Sequence, residues 1–255
     1  MLSIEQFREI TKKELSNIKF KEKSFEELKD TLNDNSLITA DSHCNPKTPN
    51  LSDFKSNSET GYQRAIFNTK FSHLTFSSGK DKNINWLDLE LPVELRNQSR
   101  KKCIDLIGKI DDKPIICELK YKPKDSKSNS DRPEYGIFEL IIYYYLILCN
   151  NEKLNNNKVH HNSKEISDFN WNNIINEKPL LILAANKKYW ENWFDKKTYQ
   201  PCDTRDEILN LVHNLNKKLE INLCLFETNN IDLESDDTKY KGIDVSKEWK
   251  QITKI

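Results

Sequence analysis

The chain of 255 residues carries 40 lysines and arginines against 40 aspartates and glutamates, with 36% hydrophobic and 10% aromatic residues. That is enough apolar material for one full α/β domain with additions, and a balanced charge argues against a protein that coats nucleic acid along its whole surface. The longest apolar run, Ile141 to Cys149, falls far short of the roughly 20 residues a bilayer span needs, and charges stand where a signal peptide would be apolar. The expectation is therefore a soluble, cytoplasmic protein with no membrane partner.

In chain order, residues 1–55 read as a helical extension and linker. Two short helices are each opened by a capping box, Ser3 with Gln6 and Ser24 with Glu27, and a Pro/Asn/Ser-rich link follows from Asn35 to Ser58. Packing of these helices against the core is the preferred reading; a protein partner or a homodimer formed through them is the other. Residues 56–228 read as the main domain and 229–255 as a C-terminal tail. Ser58 to Phe67 reads as a helix with Tyr62, Ile66 and Phe67 on its apolar side, and Ile84 to Val93 as a first strand. Arg96, Arg100, Lys101 and Lys102 then gather positive charge, as do Lys120, Lys122, Lys124 and Lys127 further on. Either group is a basic rim that binds nucleic acid or simply a solvated charged loop.

Lys102 to Tyr121 reads as a β-hairpin. Ile104 and Leu106 mark its first strand, Ile115, Cys117 and Leu119 its second, and Asp111-Asp112 its turn. Pro133 to Leu148 reads as an apolar helix carrying Glu139 one turn before Tyr143. Asn150 to Ser167 is an Asn/Lys/His-rich insertion whose His160 and His161 lack the spacing of a helical metal site. Leu180 to Ala185 is a continuous apolar run that fits a buried strand. Trp190 and Trp193 follow it, and core packing is favoured for them over base stacking. Thr204 with Glu207 opens a further helix, and Ile221 to Phe226 reads as a last strand. The six cysteines are scattered with no C-x-x-C, so they indicate neither a zinc site nor a disulfide framework.

The hairpin carries the chemistry. Side chains of a strand alternate faces, so Glu118 and Lys120 share one side while Cys117, Leu119 and Tyr121 take the other. Two carboxylates, Asp105 and Glu118, suffice as the protein's contribution to a Mg²⁺ site whose other ligands are waters and phosphate oxygens. The bland alternative is a surface acid beside a cross-strand ion pair. It loses ground because Ile107 is apolar where a solvated face would be polar, and buried charges without partners are costly.

An Asp ending one strand, followed by E-x-K on the next, resembles the signature of the PD-(D/E)XK nuclease superfamily, its RecB-like branch included. The resemblance implies an α/β, restriction-endonuclease-like core of α-β-β-β-α-β order, with a mixed central sheet flanked by helices and the N-terminal extension added. It implies that Asp105, Glu118 and the backbone carbonyl of Leu119 hold Mg²⁺, with Mn²⁺ as a substitute. Lys120 would position or deprotonate the attacking water, and Glu59 would assist from the preceding helix through a second metal or a metal-bound water. Glu139 stands where the RecB-like branch often has Gln, four residues before Tyr143, so both are auxiliary candidates. The implied activity is hydrolysis of phosphodiester bonds in nucleic acid, DNA above RNA. The rival is a non-catalytic nucleic-acid-binding or assembly module.

Overall fold

The structure is a computed structural model that describes residues 2–18, 23–33, 37–38, 58–94, 102–123, 126, 131–156, 176–194, 205–228 and 248–253. Its elements are α1 (Ile4–Asn17), α2 (Lys23–Asn33), β1 (Leu37–Ile38), α3 (Glu59–Asn68), β2 (Phe71–Thr75), β3 (Asp81–Glu94), β4 (Lys102–Ile110) and β5 (Lys113–Lys120). After them come α4 (Pro133–Asn156), β6 (Leu180–Asn186), α5 (Lys187–Phe194), α6 (Arg205–Leu219), β7 (Asn222–Thr228) and β8 (Glu248–Gln251). The Ser3–Gln6 capping box opens α1. The second helix starts at Lys23, ahead of Ser24.

The expectation of an open restriction-endonuclease-like sheet flanked by helices is overturned, because the sheet closes on itself. Seven strands form a ring in the order β3-β2-β8-β7-β6-β5-β4, with β4 returning to β3, and β1 adds to the far end of β3. The barrel is mixed: β5, β6 and β7 run parallel, as do β2 and β8, and the other neighbours are antiparallel. Two short strands make the closure. β2 pairs β3 from Phe71↔Asn85 to Thr75↔Asp81, and β8 bridges β2 to β7.

β3 has the length to serve two neighbours. Its first residues pair with β2, its later ones with β4, and the register with β4 slips between Trp86 and Asp88. Such a bulge bends a strand and adds twist, which is what a sheet needs to curl shut. Gly108 makes the close passage possible: a Cβ there would sit 2.8 Å from the Asn85 carbonyl oxygen.

The ring separates two apolar cores. Inside it lie Leu74, Trp86, Leu106, Leu119, Ile182, Phe226 and Trp249, one or more from each ring strand, with Tyr62 and Ile66 of α3 packed among them. Outside it, α4 lies on Ile107, Ile116, Leu183 and Leu225, and Phe7, Phe25, Trp190, Trp193 and Val212 extend this layer across α1, α2, α5 and α6. α4 is buried almost all round because helices cover it on one side and the sheet on the other. Among the described residues no helix is long and apolar enough to cross a membrane.

Candidate active site

β4 and β5 pair from Leu106↔Cys117 to Ile110↔Lys113, with Asp111 at a φ of 53° in the turn between them. Along β5 the alternation holds. Cys117, Leu119 and Tyr121 enter the ring interior, so Glu118 and Lys120 point outward beneath α4, each 4% exposed. Along β4 it breaks. Leu106 lies in the ring interior and Ile104 in the outer layer, although residues two apart normally share a face; β3 does the same with Leu89 and Leu91. The switch falls at Glu90, whose φ is 51°, and at Asp105 between the paired residues Leu89↔Leu106 and Leu91↔Ile104. Arg64 of α3 braces this irregular point, its Nη2 lying 3.0 Å from Glu90 Oε2.

Two helices complete the site. Ser58 caps α3 by accepting the Gly61 N–H at 3.1 Å, which leaves Glu59 as its first residue. The Gln63 amide donates to the Asp105 carbonyl oxygen at 2.7 Å, and Tyr62 stacks on Tyr121 with ring centroids 4.8 Å apart. These contacts fix the start of α3 against the ends of β4 and β5. Glu59 then accepts the Tyr121 N–H through Oε2 at 3.1 Å. From α4, Glu139 reaches down with 6% exposure.

Lys120 stands at the centre. Its Nζ lies 2.8 Å from Glu118 Oε1, 3.3 Å from Glu139 Oε2 and 3.9 Å from Glu59 Oε1. The Tyr143 hydroxyl donates to Glu139 Oε1 at 3.0 Å, and the Leu119 N–H donates to Asp105 Oδ2 at 2.7 Å. Glu118 Oε2 is sealed from solvent and has no hydrogen-bond partner among the described residues. Gly136 lets α4 come this close: a Cβ there would lie 3.0 Å from Leu183 Cδ1 and 3.3 Å from Lys120 Cε.

One ammonium does not neutralise four carboxyls in a buried place. Burial pushes the Asp105 carboxyl up to about 8, with Lys120 pulling it back and Glu59 pushing it further. Burial and then the Asp105 charge raise Glu118 well above the usual carboxylate range, and Lys120 offsets only part of this. Glu59 is also raised, by burial first, although its side chain is 45% exposed at the mouth of the site. For Lys120, burial pulls downward, but Glu118, Glu59, Glu139 and Asp105 outweigh it and hold the amine well above its ordinary value. Lys120 is therefore an ammonium at neutral pH. As an ammonium it donates hydrogen bonds, which is what the expected positioning role requires.

No family model, no curated protein and no solved structure matches this chain. What the site can do has to be read from its own atoms. Asp105, Glu118, Lys120, Glu59, Glu139 and Tyr143 converge from β4, β5, α3 and α4. Leu119 takes part through its N–H. Arg96, Arg100 and Lys101 lie outside the described residues, and Lys102 opens β4, pairing with Val93. Lys122 is buried instead of lining an exposed rim: Asn186 clasps its backbone, accepting the N–H at 3.0 Å and donating to the carbonyl at 2.8 Å, while Nζ donates to Asn192 Oδ1. Asn186, Gln63 and Arg64 were not singled out by the sequence. Gln63 had a readable signal, since it lies four residues after Glu59 and so on the same face of α3.

Among the described residues no three histidine, cysteine or carboxylate side chains form a ready-made metal cluster. The carboxylates gather round an ammonium instead. The donor set still fits a hard cation of the Mg²⁺ kind, which asks for one or two carboxylates and keeps its waters. The orphaned Glu118 Oε2 and the upward-shifted Asp105 are the observations behind that fit.

Proposed function

We propose that this chain is a divalent-cation-dependent phosphodiesterase that cuts nucleic acid, with DNA as its substrate. The observation that carries the reading is the burial of Lys120 among Glu118, Glu139 and Glu59, beside Asp105 and the unpartnered Glu118 Oε2. A cluster of this kind costs folding energy, and buried charged groups with strongly shifted protonation gather at functional sites.

Asp105 and Glu118, with the Leu119 carbonyl by resemblance, would hold Mg²⁺ or Mn²⁺, which supplies Lewis-acid stabilisation of charge on the phosphate. Lys120, three N–H donors on a seated stem, orients the attacking water and steadies negative charge on a phosphoryl oxygen. Glu59 takes the water's proton. It is the most exposed carboxyl of the set, and its upward shift brings it nearer the pH at which a base works best. Glu139 and Tyr143 hold Lys120 in place from α4.

The test is incubation of the purified chain with single- and double-stranded DNA and RNA in Mg²⁺, Mn²⁺ or EDTA, with Asp105→Ala alongside. DNA shortens in Mg²⁺ or Mn²⁺ and stays intact in EDTA and with the variant. Binding without cleavage, or cleavage that persists in Asp105→Ala, overturns the reading.

A further inference from the structure

Lys120 and a bound cation both need Glu118. The ammonium sits 2.8 Å from Oε1 of that carboxylate, and the other oxygen, Oε2, is buried without a partner among the described residues. Two positive centres on one small carboxylate repel strongly where burial leaves little solvent screening. The ammonium has a second seat within reach. Glu139 Oε2 lies 3.3 Å from Nζ, and its Oε1 is already fixed by the Tyr143 hydroxyl at 3.0 Å. The stem of Lys120 passes against α4 where Gly136 leaves space for Cε, so a shift of the head group carries it along the helix that supplies Glu139.

We infer that Lys120 is a transferable counter-ion: it neutralises Glu118 while no cation is bound, and Glu139, the positioning residue, receives it when a divalent cation takes Glu118. This rests on the cation-dependent reading of the site. It adds that cation affinity is set by a competition inside the protein, and that Glu139 governs the competition without touching the cation. It also accounts for an acid at position 139, since a neutral side chain would hold a displaced ammonium less well.

Calorimetric titration of Mg²⁺ and of Mn²⁺ into the full chain and its variants tests this. Lys120→Met removes the competitor and tightens binding about tenfold, while Glu139→Gln removes the second seat and weakens it about fivefold, couplings of ordinary size for two ions that share a ligand. Lys120→Arg keeps the charge and leaves affinity within about twofold of the parent. In the Lys120→Met background, Glu139→Gln has no effect, because no ammonium remains to be received. That non-additivity is the readout a merely structural role would not produce. Should Glu139→Gln fail to fold, Tyr143→Phe loosens the same carboxylate and gives a smaller weakening that also vanishes in Lys120→Met. Unchanged affinity in Lys120→Met, equal weakening by Glu139→Gln in both backgrounds, or no cation binding by any variant overturns the inference. Parallel cleavage assays keep it separate from the proposed activity. Intact coupling without cleavage sinks the nuclease reading and leaves the counter-ion exchange standing; cleavage without coupling does the reverse.

Discussion

Replacing Asp105 with asparagine should make the cation-free protein more stable, and only at high pH. The folded state lifts this carboxyl from its ordinary 3.8 to about 8, so between those values the folded chain holds a proton that the unfolded chain has lost. The linkage sign follows. Stability tied to this proton is fully present below the unfolded value and is lost as pH rises through the folded one. Between pH 5 and pH 8, roughly three pH units at about 1.4 kcal/mol each would give about 4 kcal/mol, and halving it for the partial solvent access of Asp105 leaves about 2 kcal/mol. For a chain of this size that is a fall of about 6 °C in Tm between pH 5 and pH 8. Asparagine has the same shape, its Oδ1 can accept the Leu119 N–H that Asp105 now accepts at 2.7 Å, and it has no charge to lose. Thermal unfolding followed by circular dichroism in EDTA, from pH 5 to pH 9, is the assay. The parent and Asp105→Asn coincide near pH 5, and the variant melts higher at pH 8. Mg²⁺ lifts the parent at pH 8 and leaves the variant unmoved. Curves that run parallel over the whole range would refute the buried, proton-holding aspartate.

Three further outcomes follow from the same contacts. Gly136→Ala presses on Leu183 and on the Lys120 stem, so the cleavage rate falls about tenfold for a stability loss of about 1–2 kcal/mol, read by single-turnover kinetics beside denaturant titration. Gln63→Ala leaves the Asp105 carbonyl without its 2.7 Å donor and costs about 1–2 kcal/mol in urea unfolding, with a larger proportional loss of activity than of stability. Ser58→Ala removes the cap of α3 and costs about 1 kcal/mol, whereas Ser58→Asp restores it, both measured by Tm.

The convergence of the acids round Lys120 was more legible in the sequence than the architecture. Strand parity places Glu118 beside Lys120, helical spacing places Glu139 beside Tyr143, and both rules act over a few residues. Asp105 is the harder case. Regular alternation would put Ile104 and Leu106 on one face, and only the reversal at Glu90 and Asp105 separates them. No local pattern announces a non-glycine residue at positive φ. The closure was illegible for a different reason. β2 offers five residues with Ser72 and Leu74 turned inward, and β8 offers four with Trp249 fully buried. Segments so short carry too little apolar periodicity to be read as strands, and their parallel pairing joins His73 to Glu248 across most of the chain.

The closure and the site occupy different parts of the ring, which is why a wrong architecture and a convergent cluster are compatible. β2 and β8 meet between β3 and β7, whereas the site is built on β4 and β5. β6 and β7 separate β5 from β8 on one path round the ring, and β3 separates β4 from β2 on the other. The hairpin, the start of α3 and the first half of α4 need one another to place their carboxyls. Each of the contacts that do so, Gln63 to Asp105, Glu59 to Tyr121, Leu119 to Asp105 and Glu139 to Lys120, spans β4, β5 and these two helices only. A change confined to β8 that loosened the ring should therefore lower stability without moving Lys120 from its carboxylates. The polar contacts that gather the carboxyls are local to these elements, and the curvature of the sheet around them is a separate solution to burying the strand edges.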